Sequence, residues 1–205
     1  MDLFEAMETQ RAIRRFRPDP VPEEAIEKIL HAATRAPSGG NAQPWAFIVV
    51  RDQELKRKIG QAYREASAEY ARIRAAQAPA QPPPAPAGRR VRPPTPFWEV
   101  PVLILVCRRT LYPPVATSTA SLYASVYPAV QNILLAARAL GLGTVLTTYF
   151  KLREEPIKAA LGIPEDVEPL ALIPLGYPRG RFGPVRRRPW REVTFFDRWG
   201  NAPGA

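Results

Sequence analysis

Ala36-Pro37-Ser38-Gly39-Gly40-Asn41-Ala42-Gln43-Pro44-Trp45 (APSGGNAQPW) separates a patterned helix from an apolar strand. Gly39 and Gly40 let a backbone pass close to a flat ligand, Ser38 and Asn41 bring donors and acceptors, and Pro37 with Pro44 stiffens the turn. An ordinary helix-to-strand loop would account for the glycines alone. Upstream, Pro22 to Arg35 is expected to be helical, with Glu23 and Glu24 in the first turn and one apolar stripe of Ile26, Ile29, Leu30 and Ala33. Leu3 to Gln10 forms a shorter helix, and RAIRRFRPDP after it is halted by Pro18 and Pro20. Downstream, Ala46 to Val50 reads as a buried strand and Gln53 to about Gln77 as a polar helix with Leu55, Ile59, Tyr63 and Ile73 inside.

From Ala78 to Pro96 the chain is too rich in proline for a regular element and reads as a loop or lid inserted into one domain, since VPVLILVC resumes as an apolar strand directly after it. Arg109 to Ser118 is a second irregular patch. Thr119 to about Leu140 is the longest helix, capped by Gly141, with Pro128 bending it or marking its true start. Thr144 to Thr148 is then a short strand, Glu154 to Leu161 a helix closed by Gly162, and Pro169 to Leu175 the last strand. The tail from about residue 179 to 205 has no amphipathic period, yet its Trp190, Phe195, Phe196 and Trp199 need a surface to bury them, such as another subunit. The pattern supports one domain over residues 1–205, mixed in helices and strands.

Composition narrows the chemistry. The longest apolar run, Val100 to Cys107, is far below the roughly 20 residues of a membrane helix, and the N-terminus shows no signal-peptide apolar block, so a cytoplasmic protein is expected. The formal charge is +10, from 29 Lys+Arg against 19 Asp+Glu, and the basic clusters Arg11 to Arg17, Arg89 to Arg92 and Arg179 to Arg191 raise a nucleic-acid partner. None of them is interleaved with an aromatic stacking platform, which argues against that partner. One cysteine, Cys107, allows no internal disulfide, and inside an apolar strand it acts as a small hydrophobe. One histidine, His31, allows no multi-histidine metal site, and there is no G-x-S-x-G elbow, no phosphate-binding G-x-x-x-x-G-K-[ST] and no strand before GLGT at Gly141. No metal is expected, and an enzyme of this sequence would take its chemistry from a cofactor.

APSGGNAQPWAFIVV, preceded by QRAIRRFRPDPVPEEAIEKILHAATR, resembles the nitroreductase family of FMN-dependent oxidoreductases. The resemblance continues in YPAVQNILLAARALGLGTVLTT and in ALIPLGYP followed by RRRPW, so it covers nearly the whole chain outside the proline-rich segment. It implies an α+β fold, a central mainly antiparallel sheet flanked by helices, in an intertwined homodimer with shared active sites.

The resemblance also implies roles for particular residues. Arg14 would meet the pyrimidine edge of the flavin and Arg11 its phosphate, with Arg15 assisting; Ala12 lies in the same cradle, where it and Gln10 depart from the commoner Arg-Arg-Ser motif and remove one phosphate ligand and one hydroxyl. Pro37, Ser38 and Gly39 would reach the flavin held mainly by the other subunit, Asn41 would brace that loop, and Trp45 would belong to the core. Leu146, Thr147, Thr148 and Tyr149 would run along the flavin with an amide N–H at N5, and Arg187 and Arg188 would close on the phosphate from the C-terminal side. The implied reaction is a ping-pong cycle in which NADH or NADPH passes hydride to flavin N5 and a nitroaromatic, quinone or other conjugated electrophile then takes the electrons, with no acid-base residue named as catalytic. Relatives of this fold that dehalogenate aromatics, cleave flavin or only hold FMN are the alternatives, with a basic nucleic-acid module behind them.

Overall fold

The computed structural model describes residues 1–77, 93–110 and 118–203. Positions 78–92 of the proline-rich segment and 111–117 of the second irregular patch, and with them the lid reading, lie outside the described residues.

Four strands make one sheet in the order β1 (Trp45–Val50), β2 (Val102–Arg109), β4 (Val167–Gly176), β3 (Gly143–Thr144), and every ladder is antiparallel. β2 is central and apolar without alternation because both of its faces are covered. Val102, Ile104 and Val106 point to a layer of α2 (Glu23–Ala33) and α5 (Tyr127–Ala139), meeting Ile26, Ile29 and Ile133. Leu103, Leu105 and Cys107 point the other way, to Ile59 of α3 (Gln53–Ala76) and Ile157 of α6 (Glu154–Leu161). Burial of this kind contributes about 25 cal/mol per Å² of apolar surface, so the continuous hydrophobic run of β2 is the main anchor of both layers. A bulge interrupts β2 and β4: Val106 lies opposite Ala171 but Cys107 opposite Pro169, leaving Leu170 as the extra residue, with Pro169 beside the irregularity where a strand tolerates proline.

Three of the described helices, α1 (Leu3–Thr9), α3 and α4 (Thr119–Ala124), begin where a short polar side chain satisfies a free N–H group. The Asp2 carboxylate accepts from Glu5 N at 2.8 Å to start α1 (Leu3–Thr9), and Asp52 accepts from Leu55 N at 2.8 Å to start α3. The predicted helix from Thr119 to Leu140 is two helices, α4 (Thr119–Ala124) and α5, because Pro128 lacks a backbone donor and fits only the first turn of a new helix. Gly162 closes α6 with φ +62°. The strand expected over Thr144 to Thr148 is shorter: the chain leaves the sheet after Thr144 and touches it again at one bridge, where Thr147 and Leu172 exchange N–H···O bonds of 3.0 Å. Ile73, expected inside α3, is exposed, since the fully buried positions of that helix end at Ala66.

Candidate functional site

The basic segment after α1 is built as an extended strip. Ile13 N donates to Thr144 O (2.8 Å) and Arg17 N to Tyr177 O (2.8 Å) on the sheet side, while Arg14 O accepts from Thr95 N (2.8 Å) on the other. Phe16 N donates to Thr95 Oγ1 at 3.0 Å, so the end of the proline-rich segment is stitched to the strip. This close approach depends on Gly143: a Cβ there would stand 2.7 Å from Ile13 Cγ2. Alternation along the strip sends Arg14 and Phe16 to one face.

That face is one wall of a cavity of about 520 Å³. The second wall is the excursion Val145–Thr148 together with Tyr149, where the chain has left the sheet, and the third is α3 with Gly60, Tyr63, Arg64 and Ser67. Phe97 and Trp98, in a 3-10 turn over Phe97–Glu99, close the side nearest α3, and they fit because position 60 is glycine: a Cβ would lie 3.0 Å from Trp98 Cε3. Aromatic rings dominate the interior. Tyr63 packs on Phe97 (centroids 4.5 Å apart) and lies 6.2 Å from Tyr149, which stacks on Tyr70 at 4.4 Å. The Tyr63 hydroxyl and Thr147 Oγ1 share a hydrogen bond of 2.8 Å that ties α3 to the excursion. The charged side chains on the lining are Arg14 and Arg64, and no Asp or Glu stands among the described lining residues.

The structure therefore brings Arg14, Leu146, Thr147 and Thr148 together around one cavity. Arg11, Ala12 and Arg15 lie on the same strip, Ala12 bridging Thr144 and Arg15 O accepting from Arg179 N at 2.9 Å, but they do not line the cavity. Pro37, Ser38, Gly39 and Asn41 lie elsewhere: Ser38 Oγ accepts from Gln43 N (3.0 Å), Gly39 N donates to Ser125 Oγ (3.1 Å), and Asn41 Oδ1 accepts from Gln43 Nε2 (3.0 Å). Gly40, Asn41 and Gln43 hold left-handed φ values of 57°, 54° and 49°, unstrained at the glycine and fixed at Asn41 and Gln43 by those side-chain bonds. Arg187 and Arg188 are exposed on the tail, away from the cavity, with Arg187 Nη1 donating to Arg186 O. Trp45 is in the core and His31 is exposed.

Other chemistry finds no support here. Burial, with the Glu154 charge adding to it, pushes the Cys107 thiol up to about 12, so it stays protonated and unreactive. No group of His, Cys, Asp and Glu among the described residues is placed to hold a metal ion, and none of the described helices is long and apolar enough to cross a membrane.

Against known proteins, residues 7–177 match the nitroreductase family. The chain belongs to the nitroreductase family. It is 38% identical over 183 residues, 87% of this chain and 78% of the relative, to a protein provisionally named NADH dehydrogenase/NAD(P)H nitroreductase from Methanothermobacter thermautotrophicus. It is 30% identical over 179 residues, 86% of this chain and 79% of the relative, to an iodotyrosine deiodinase from Haliscomenobacter hydrossis. Among solved structures, a provisionally named nitroreductase from Desulfovibrio desulfuricans in complex with FMN superposes with a TM-score of 0.72 at 27% identity, covering 97% of this chain and 98% of that one. The expected α+β nitroreductase fold, with its antiparallel sheet and flanking helices, is the fold observed.

Within this nitroreductase fold, sequence reasoning missed most of the cavity. Tyr63 was expected only as a core residue, and Arg64, Thr95, Phe97 and Trp98 were not singled out. One signal was available: Gly60, Tyr63, Arg64 and Ser67 follow the i, i+3, i+4, i+7 spacing of one helical face, and that face is neither apolar enough for a core nor polar enough for solvent.

Proposed function

We propose that this protein is an FMN-dependent oxidoreductase that draws electrons from NAD(P)H in the cytoplasm and delivers them to a nitroaromatic, quinone or other conjugated electrophile. The carrying observation is the cavity itself, in which two guanidiniums, the Val145–Tyr149 segment and an aromatic wall converge on a space with no acidic side chain among the described lining residues. These residues fit FMN. A flat ring system would find apolar surface on Val145 and Leu146, and its electron-rich edge would find Arg14. Held there, FMN would supply two-electron chemistry between NAD(P)H and the acceptor.

The chain's own part is binding and polarisation. Arg14 places a fixed positive charge where negative charge collects on reduction, which favours the reduced form in a water-poor site. Thr147 N–H is spent on Leu172 O. Donors for the ring's reactive edge would come from the N–H groups of Leu146, Thr148 and Tyr149, the last two at the start of the 3-10 turn Tyr149–Arg153, where first-turn donors lack partners inside the turn. Arg11 and Arg15 supply charge along the strip towards the phosphate, with Ala12 between them; Arg187 and Arg188 would join only by a movement of the tail or from a second subunit.

The same reading makes the protein a homodimer with shared sites. Pro37, Ser38, Gly39 and Asn41 are off the cavity of their own chain, and Leu3, Phe4, Met7, Trp190, Val193, Phe196 and Trp199 are exposed, Trp199 by 91%. Removing Thr194 to Ala205 is expected to weaken the dimer at least tenfold in sedimentation experiments; a truncated protein that stays dimeric at low concentration would assign the tail to its own subunit.

The visible spectrum of the purified protein, before and after anaerobic NADPH, tests the main reading. A flavin band that bleaches is expected, and absence of flavin after soaking with FMN would overturn it. A second reading, reductive dehalogenation of an aromatic, is favoured by the likeness to the deiodinase of H. hydrossis. Release of iodide from an iodinated phenol by the reduced protein would distinguish it.

A further inference from the structure

Arg64 is the cavity charge that the proposed function leaves without a task. It stands on α3, across the cavity from the basic strip, and its guanidinium carbon lies 4.8 Å from the centre of the Trp98 ring. Stacking of this kind uses the face of the guanidinium and leaves its in-plane N–H groups free for a two-pronged acceptor. Its helix neighbours at three and four residues are Gly60, Gln61, Ser67 and Ala68, none acidic, and it forms no ion pair with a described residue. The nearest carboxylates on the helix are engaged elsewhere: Glu65 accepts from Gln61 Nε2 and Glu69 pairs with Arg153. Around Arg64 the lining is flat and aromatic, from Trp98 through Phe97 to Tyr63, with Ser67 one turn further on.

We propose that Arg64 is the specificity residue for the electron acceptor and that it selects planar aromatic electrophiles bearing a carboxylate. The ring of such an acceptor lies along the aromatic wall, and its carboxylate takes the free edge of the stacked guanidinium as a bidentate partner. A neutral acceptor of the same shape leaves that edge to water and gains nothing from it. With 4-nitrobenzoate the first reduction is balanced as ArNO2 + NAD(P)H + H+ giving ArNO + NAD(P)+ + H2O. The nitro group takes two electrons and loses one oxygen as water, and the carboxylate is unchanged. This inference rests on the oxidoreductase reading for its turnover, but the recognition it describes can be measured without turnover.

Calorimetric titration of the protein as purified with naphthalene-2-carboxylate and with 2-naphthamide provides that measurement. The carboxylate is expected to bind about tenfold more tightly, the size of one charge-assisted pair in a partly open site. The preference should disappear in Arg64→Gln, persist in part in Arg64→Lys, and survive in Arg14→Ala. In turnover, the ratio of kcat/KM for 4-nitrobenzoate over 4-nitrobenzamide should fall about tenfold in Arg64→Gln. A merely structural role would weaken both ligands alike and leave both ratios unchanged, which would overturn the proposal. So would loss of the preference in Arg14→Ala instead, or loss of bound FMN in Arg64→Gln. An increase in KM for NADPH, with KM for NADH and the acceptor ratio unchanged, would assign Arg64 to the nucleotide's phosphate and equally overturn it. A protein that takes up no flavin even when soaked with FMN, yet still prefers the carboxylate through Arg64, would refute the redox reading and leave the recognition intact.

Discussion

The family resemblance puts Pro37, Ser38 and Gly39 at one flavin and Leu146 to Tyr149 along another, and the loop Ser38–Gln43 and the segment Val145–Tyr149 that carry them are built by opposite means. The first is held by its side chains: Ser38, Asn41 and Gln43 bond within the loop, Ser125 reaches in to it, and left-handed backbone at Gly40, Asn41 and Gln43 fixes its path. The second is held by its backbone, which leaves the sheet at Thr144 and returns at Thr147. A segment that depends on particular side chains leaves a conspicuous string in the sequence. One that presents main-chain groups to a cavity asks for few particular side chains, here the Thr147 hydroxyl that meets Tyr63, and so its string is quiet.

Disrupting the backbone-built segment should have the largest effect. Gly143→Val places atoms where Ile13 now sits and forces the basic strip away from β3. Overpacking of this kind costs about 3 kcal/mol, so a lowered denaturation midpoint and loss of bound flavin are expected together. Arg14→Ala comes next, with FMN affinity reduced about tenfold and the fold unchanged, as measured by flavin titration and circular dichroism. Wild-type affinity would remove Arg14 from the site. Gly40→Ala strikes the side-chain-built loop: a Cβ meets no neighbour there, but φ +57° costs about 1 kcal/mol for an L-residue, which thermal unfolding should register. If the loop serves a partner's site, this variant also lowers turnover while its own chain's FMN affinity is unaltered.

The smallest effect is a pH dependence at the seat of the aromatic wall. Lys56 is buried and donates to Val100 O at 2.8 Å, just behind the Phe97–Trp98 turn, and burial holds its ammonium below the ordinary lysine value, with Asp52 opposing. Below the lowered value the cost of burying the charge is fully present. Between that value and the ordinary one the unfolded chain keeps more protons than the folded chain, so stability rises with pH. Burial raises the Cys107 thiol and the Tyr127 hydroxyl and lowers stability over the same alkaline range in both proteins, so the expected signal is a stability difference between wild type and Lys56→Met that rises with pH.

The same contrast explains what could be read in advance. The helices over Glu23–Ala33 and Glu154–Leu161 and the strand β2 were legible because apolar spacing, capping residues and proline all agree locally. The split at Pro128 was legible as one of two outcomes, bend or start, and packing decided for the start. Arg14 and Leu146 to Thr148 could be placed at a site only through a family string, since an arginine in a run of arginines has no local mark. Tyr63, Arg64, Phe97 and Trp98 come together from two elements separated by the proline-rich segment, and no pattern within either element announces the other.

Cys107 carries a consequence for experiment. It is the one thiol of the chain, fully enclosed in the middle strand of the sheet. A thiol reagent can modify it only in molecules whose sheet has come apart, and no second thiol competes for the reagent. The labelling rate is therefore a clock for global opening, by which each variant above can be timed without touching its flavin.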